Sequence, residues 1–126
     1  MAHLYEPLHP AVLRSIRRVV DVAHAEGRWV GICGEMAGDA TGAVLLIGLG
    51  LDEFSVGSSL LPEVKRVIRC VSYAEARGWA DRAATMATAQ EVRQFMEPIM
   101  NQRFPEILDE GGDGHAQSAA VPGAAR

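Results

Sequence analysis

The run Cys33-Gly34-Glu35-Met36-Ala37-Gly38-Asp39 places a thiol just ahead of a carboxylate, where a short apolar strand reads as turning into a helix. A proton-donating group at the C-terminal end of a strand is where α/β barrels hold their chemistry. Cys70 stands outside any motif, on the apolar-stripe side of a helix, and reads as a small core residue. His3, His9, His24 and His115 are scattered, with no second histidine or cysteine at metal-ligand spacing. His9 precedes a proline at a helix entry, which suits capping or packing. Gly48-x-Gly50 is too short for a dinucleotide loop and reads as turn geometry. Arg14, Arg17 and Arg18 read as a solvated helix face, and Met86, Met96 and Met100 as core filling.

The elements that position the heptapeptide follow from pattern. Pro10 opens a helix at a position where its missing N–H is harmless. Val12, Ile16, Val19, Val20 and Ala23 share one face of it, and Gly27 stops it. Trp29–Cys33 lacks polar alternation, the signature of a strand buried on both faces. An apolar helix over Thr41–Leu49 and a second strand over Glu53–Val56 follow. The alternation predicts parallel strands with helical crossovers. From Pro62 onward the chain reads as helical. Val64, Val67, Ile68 and Val71 form a stripe, Ser72-x-x-Glu75 and Thr88-x-x-Glu91 mark two helix starts, and Pro98 and Pro105 bracket the end of the last helix. Residues 109–126 are small, acidic and glycine-rich, with one valine as their only large aliphatic residue, and read as a disordered tail.

Size and charge narrow the classes. With 126 residues the chain is at most one domain. Twelve basic against sixteen acidic residues leave a net charge of −4, which gives no footprint for nucleic acid. No apolar run is long enough for a membrane span. The first seven residues lack the basic and apolar regions of a signal peptide, and two distant cysteines suit a reducing compartment, so a cytoplasmic protein is expected. The expected fold class is α/β, with about two parallel strands, flanking helices and a helical C-terminal cap over residues 1–108. A closed barrel needs eight strands and roughly 250 residues. The pattern therefore describes the C-terminal portion of a (β/α)8 TIM barrel rather than a whole one.

His3-Leu4-Tyr5, Pro7-Leu8-His9-Pro10-Ala11-Val12-Leu13, the Cys33–Asp39 heptapeptide and Gly48-Leu49-Gly50-Leu51-Asp52-Glu53-Phe54-Ser55 together closely resemble one family. It is the C-terminal, phosphoenolpyruvate-utilising barrel domain of phosphoenolpyruvate-protein phosphotransferase, enzyme I of the sugar phosphotransferase system. The similarity runs collinearly from about His3 to about Phe95. The resemblance implies phosphoryl transfer from phosphoenolpyruvate to a protein histidine and then to a histidine-containing carrier protein, with Mg²⁺ in the full-length family and none expected on this chain alone.

Cys33 resembles the family's general acid/base, which protonates the enolate carbon once phosphate has left. A thiol with an ordinary pKa near 8.5 suits that task, being loaded at neutral pH and able to take the proton back. Glu35, if close in space, would raise the thiol pKa. The metal-binding acids, the phosphate-holding arginines and the phosphorylated histidine of the family map upstream of Met1. The chain is thus expected to begin mid-domain, through a misassigned start codon, a true gene fragment or an excised segment. Two hypotheses follow: a segment that carries the catalytic cysteine yet is inactive alone, or a non-catalytic module that self-associates as a homodimer or docks on an intact relative. A weaker third is a half-barrel that regains activity with the missing part. Phosphoenolpyruvate and pyruvate are expected ligands only where the barrel is complete.

Overall fold

The computed structural model describes residues 6–110, with side chains through Ile107. His3, His115 and residues 111–126 of the expected tail lie outside the described residues. The element order is α1 (Pro10–Ala25), β1 (Gly31–Cys33), α2 (Glu35–Gly38), α3 (Ala40–Leu49), β2 (Glu53–Ser55), α4 (Leu61–Cys70), α5 (Tyr73–Ala84), α6 (Ala89–Arg103) and α7 (Pro105–Glu110). The last helix runs two residues past the boundary expected at 108.

The ends of α1 show why it forms where it does. His9 Nδ1 accepts a hydrogen bond from the Ala11 N–H at 3.0 Å, capping the helix as expected. At the other end Gly27 takes a φ of +70°. Its N–H bonds the His24 carbonyl, and the Arg28 N–H bonds that of Ala23. This closing pair satisfies two carbonyls that a helix end leaves orphaned.

β1 and β2 are parallel, with Gly31 opposite Glu53, Ile32 opposite Phe54 and Cys33 opposite Ser55. Their N-terminal ends are clamped by Asp52, whose Oδ2 meets His24 Nε2 at 2.7 Å and accepts the Val30 N–H at 2.8 Å. His24, then that N–H, holds the Asp52 carboxyl below its ordinary range. The expectation of a strand buried on both faces is corrected here. Ile32 is half-buried while Gly31 and Cys33 are exposed, and Trp29 is 69% exposed. The two-stranded sheet turns Ile32 and Phe54 toward the helical core, while Gly31, Cys33, Glu53 and Ser55 are exposed.

The core is built around α3. Eight of its ten residues are buried, because it is apolar on every side and is ringed by α1, α2, α4 and α5. Gly48 permits the closest of these crossings. A Cβ there would stand 2.1 Å from the Ala76 carbonyl oxygen and 2.8 Å from the Ala80 Cβ of α5. Alanines 76, 80 and 83 keep the facing surface of α5 low. Full burial of Leu45, Leu46, Leu13 and Leu8 each stabilises by about 1.5–3 kcal/mol.

Two expected apolar stripes are redrawn, and one cysteine moves outward. On α1 the buried residues are Leu13 and Val20, with Ile16 partly covered, whereas Val12 and Val19 are exposed. On α4 Val64 and Val67 are buried and Val71 follows them inward, but Ile68 is 43% exposed. Cys70, expected in the core, is an exposed thiol at the last position of α4. Met96 and Met100 are buried and Met86 packs at the core edge, as expected.

The arginine face of α1 is more than solvated surface. Arg14 donates to the Ala84 carbonyl at 2.8 Å, satisfying an orphan at the end of α5, and Arg17 pairs with Asp81 at 2.5 Å. Only Arg18 keeps the expected free position among the described residues. Ser72 and Glu75 complete a reciprocal capping box. Thr88 caps Glu91, but the Glu91 carboxylate accepts from the Ala87 N–H instead of closing the box. Pro98 sits inside α6 rather than ending it. Both it and Gln94, four residues earlier, are on the exposed side, where water can satisfy the carbonyl that a proline leaves free. Pro105 instead opens α7.

Arg103 locks α4, α5 and α6 together. It donates to the Cys70 carbonyl at 2.8 Å, to Glu75 at 2.6 Å, and lies 5.9 Å from the centre of the Trp79 ring. Its guanidinium, with the Ser72 backbone and hydroxyl, lowers the Glu75 carboxyl from 4.5 to about 2.

Two measurements check this account. Gly48→Ala should destabilise the chain by about 2–3 kcal/mol in chemical denaturation, because backbone rather than a movable side chain meets the new methyl; a loss below about 0.5 kcal/mol would show that α3 and α5 separate freely. Glu75 is depressed, so its contribution is present above pH 4.5 and lost as pH falls toward about 2. Glu75→Gln should therefore lower the melting temperature at neutral pH and flatten its decline between these pH values.

Candidate functional site

β1 delivers Cys33 to the C-terminal edge of the parallel pair, directly in register with Ser55 of β2. Gly34 then takes a φ of +116°, a conformation that side-chain-bearing residues rarely adopt. This swing sends the chain into α2, whose first residue is Glu35. Met36, Ala37 and Gly38 are buried beneath it, so the short helix is anchored from below. Asp39 closes the segment by accepting the Gly42 N–H on Oδ2 at 3.0 Å, which starts α3. Gly42 is required there, since a Cβ would stand 2.5 Å from the Met36 carbonyl oxygen.

Cys33 and Glu35 thus flank a glycine turn, and the residues that follow it, Met36 to Gly38, are buried. The thiol and the carboxylate are both exposed, and among the described residues neither side chain takes part in a hydrogen bond or ion pair. A solvent-reachable thiol can pass and receive a proton. Ser55 joins the same edge, and reading the sequence for chemistry missed it. The signal lay in the strand–helix alternation, since parallel pairing of β1 with β2 brings Cys33 and Ser55 level. The glycine between thiol and carboxylate was the other signal, marking a backbone turn that only it makes easily.

The site residues do not by themselves form a Mg²⁺ cage. This cation takes a near-octahedral set of oxygens, usually with one or two carboxylates. Among the described residues no three side chains of the His, Cys, Asp or Glu types gather around one point. His9 and His24 are engaged in the helix cap and in the Asp52 clamp. Cys70 lies at the end of α4, an element apart from the Cys33 edge. No helix among the described residues is long and apolar enough to cross a membrane.

Residues 1–73, a stretch that holds both strands and the Cys33 turn, match the family model of the PEP-utilising enzyme, PEP-binding domain. The chain belongs to this family. It is 46% identical over 100 residues to the phosphoenolpyruvate-protein phosphotransferase of Haemophilus influenzae, covering 79% of this chain and 17% of the relative. The protein of the same name from Staphylococcus carnosus is 44% identical over 97 residues, 77% of this chain and 17% of the relative. That from Listeria monocytogenes is 42% identical with the same coverage. The chain therefore spans about a sixth of the length of the curated relatives it matches.

Proposed function

We propose that this chain is a C-terminal segment of a phosphoenolpyruvate-protein phosphotransferase, part of a (β/α)8 barrel, with Cys33 as its general acid/base. The observation that carries the reading is the register of Cys33 with Ser55 at the C-terminal edge of two parallel strands. In β/α barrels that edge is the catalytic rim. The open side of α1 supports the same reading. Val12, Val19 and Trp29 are exposed, and a cavity of about 240 Å³ lies between α1 and β1, lined by Ile16, Val19, Val30, Ile32 and Leu51. An apolar face beside unpaired strand edges is what a neighbouring β/α unit would cover.

In the proposed step the bond between phosphorus and the enol oxygen breaks, and the phosphoryl group passes to a histidine of another segment. The enolate carbon then takes the proton from Cys33 Sγ, giving pyruvate and a thiolate. In reverse the thiolate removes that proton. Exposure of Cys33 and Glu35 leaves both groups free to meet substrate. Mg²⁺ and the groups that grip phosphate and carboxylate come from other parts of the full-length relatives. A proton donor without those clamps has no held substrate, so the chain alone is inactive.

A second reading, a non-catalytic module that self-associates or docks on an intact relative, is favoured by the same uncovered face of α1. Under it the isolated chain sediments as an oligomer, and a monodisperse monomer with a cooperative thermal transition would count against it.

An exchange experiment separates the readings. The 126-residue chain should release no pyruvate from phosphoenolpyruvate by itself. Placed in the corresponding segment of an intact relative, it should support turnover, and Cys33→Ala should lower that turnover by about 100-fold or more. A folded exchange protein in which Cys33→Ala turned over undiminished would overturn the assignment. In the same exchange protein Glu35→Gln should lower turnover less than Cys33→Ala does; undiminished turnover would remove Glu35 from the mechanism.

A further inference from the structure

α4 turns its valines inward and leaves two adjacent ridges outward. Leu61, Lys65 and Arg69 form one at spacings of four, and Pro62, Arg66 and Cys70 form the other. Together they line an open trough of about 460 Å³. The chain as a whole is acidic, with a net charge of −4, yet this surface concentrates three of its twelve cationic side chains. Arg66 is committed to Glu106 of α7. Among the described residues Lys65 and Arg69 carry neither a hydrogen bond nor an ion pair. They stand one helical turn apart, about 6 Å along the axis. Beside them Leu60, Leu61 and Ile68 are each at least 40% exposed.

From this surface we infer that the outer face of α4 is a docking site for an acidic segment of a protein, with carboxylates about one turn apart meeting Lys65 and Arg69. Charge complementarity carries the choice of occupant. The cations of the trough are spaced along a ridge, not converging on a point, so they match a chain of anions better than a single compact one. The trough is also too open to enclose a small molecule, which normally buries most of its surface in a cleft. Exposed leucine and isoleucine beside the cations add apolar contact that a bare polyanion would not use. Arg66, held by Glu106, fixes one wall of the trough, so α7 helps to shape the surface. This site is independent of the Cys33 edge.

The test uses the full 126-residue chain and a short fluorescent peptide of repeated Glu-Glu-Leu triplets, followed by anisotropy. Binding should weaken as salt is raised from low to roughly physiological strength and above. Lys65→Glu with Arg69→Glu should weaken it roughly tenfold or more, whereas Lys65→Arg should retain it. Arg18→Glu with Arg28→Glu, an equal change of charge elsewhere on the surface, and Cys33→Ala should bind as the parent does. Equal loss in the Arg18 and Arg28 variant would reduce the effect to net charge and overturn the site. So would undetectable peptide binding, displacement of the peptide by inorganic phosphate at equal concentration, or preferential binding to vesicles of anionic lipid. Loss of activity in the Cys33→Ala exchange protein with peptide binding intact separates the two proposals.

Discussion

The approach of α3 to α5 is the constraint on which the rest of the structure depends. Gly48 has no side chain because the Ala76 carbonyl occupies the space one would need. That closeness lets a helix of ten mainly aliphatic residues be surrounded rather than merely covered. Once α3 is enclosed, the segments at its two ends have little freedom. Asp39 caps its start and pulls α2 tight beneath Glu35, while Gly50, at a φ of +94°, ends it and turns the chain toward β2. The position of the thiol edge is thus a consequence of helix packing, not of the sheet, which is too short to hold itself together.

The polar interactions work at the boundaries of this packed unit. Arg103 gathers the ends of α4, α5 and α6, Arg14 and Arg17 fasten α1 to α5, and the 2.7 Å pair of Arg93 with Glu6 ties the entry of the chain to α6. Each is exposed or half-exposed, so each contributes modestly, and together they set the angles at which helices meet. The contrast with the Cys33 edge is physical. There the residues after the turn are buried, while the thiol and carboxylate are left uncommitted, which is the condition in which an acid/base group can act on something brought to it.

Two classes of surface remain open for different reasons. The face of α1 with Val12, Val19 and Trp29 is apolar and borders the uncovered strands, so leaving it in water is unfavourable. The outer face of α4 mixes cations with aliphatic side chains and is tolerable in water. Residues 1–73 match a phosphoenolpyruvate-binding domain, and the chain spans 17% of the length of its Haemophilus influenzae relative.

How much was legible from residues alone depended on whether the deciding interaction was local. Helix starts at His9-Pro10, Ser72 and Thr88, the stop at Gly27, the parallel order of two short strands and the Cys33 turn were all readable, because capping, glycine conformation and strand–helix alternation act over a few neighbours. What only the tertiary structure decided was which apolar stripe goes inward. α1 carries enough valines for two faces, and the positions of α3 and α5 rather than periodicity buried Leu13 and Val20 and left Val12 and Val19 outside. The exposure of Cys70, the bonding of Arg14 and Arg17 and the alignment of Ser55 with Cys33 have the same cause. Each depends on a surface supplied by a part of the chain distant in sequence, and spacing along one helix contains no information about that surface.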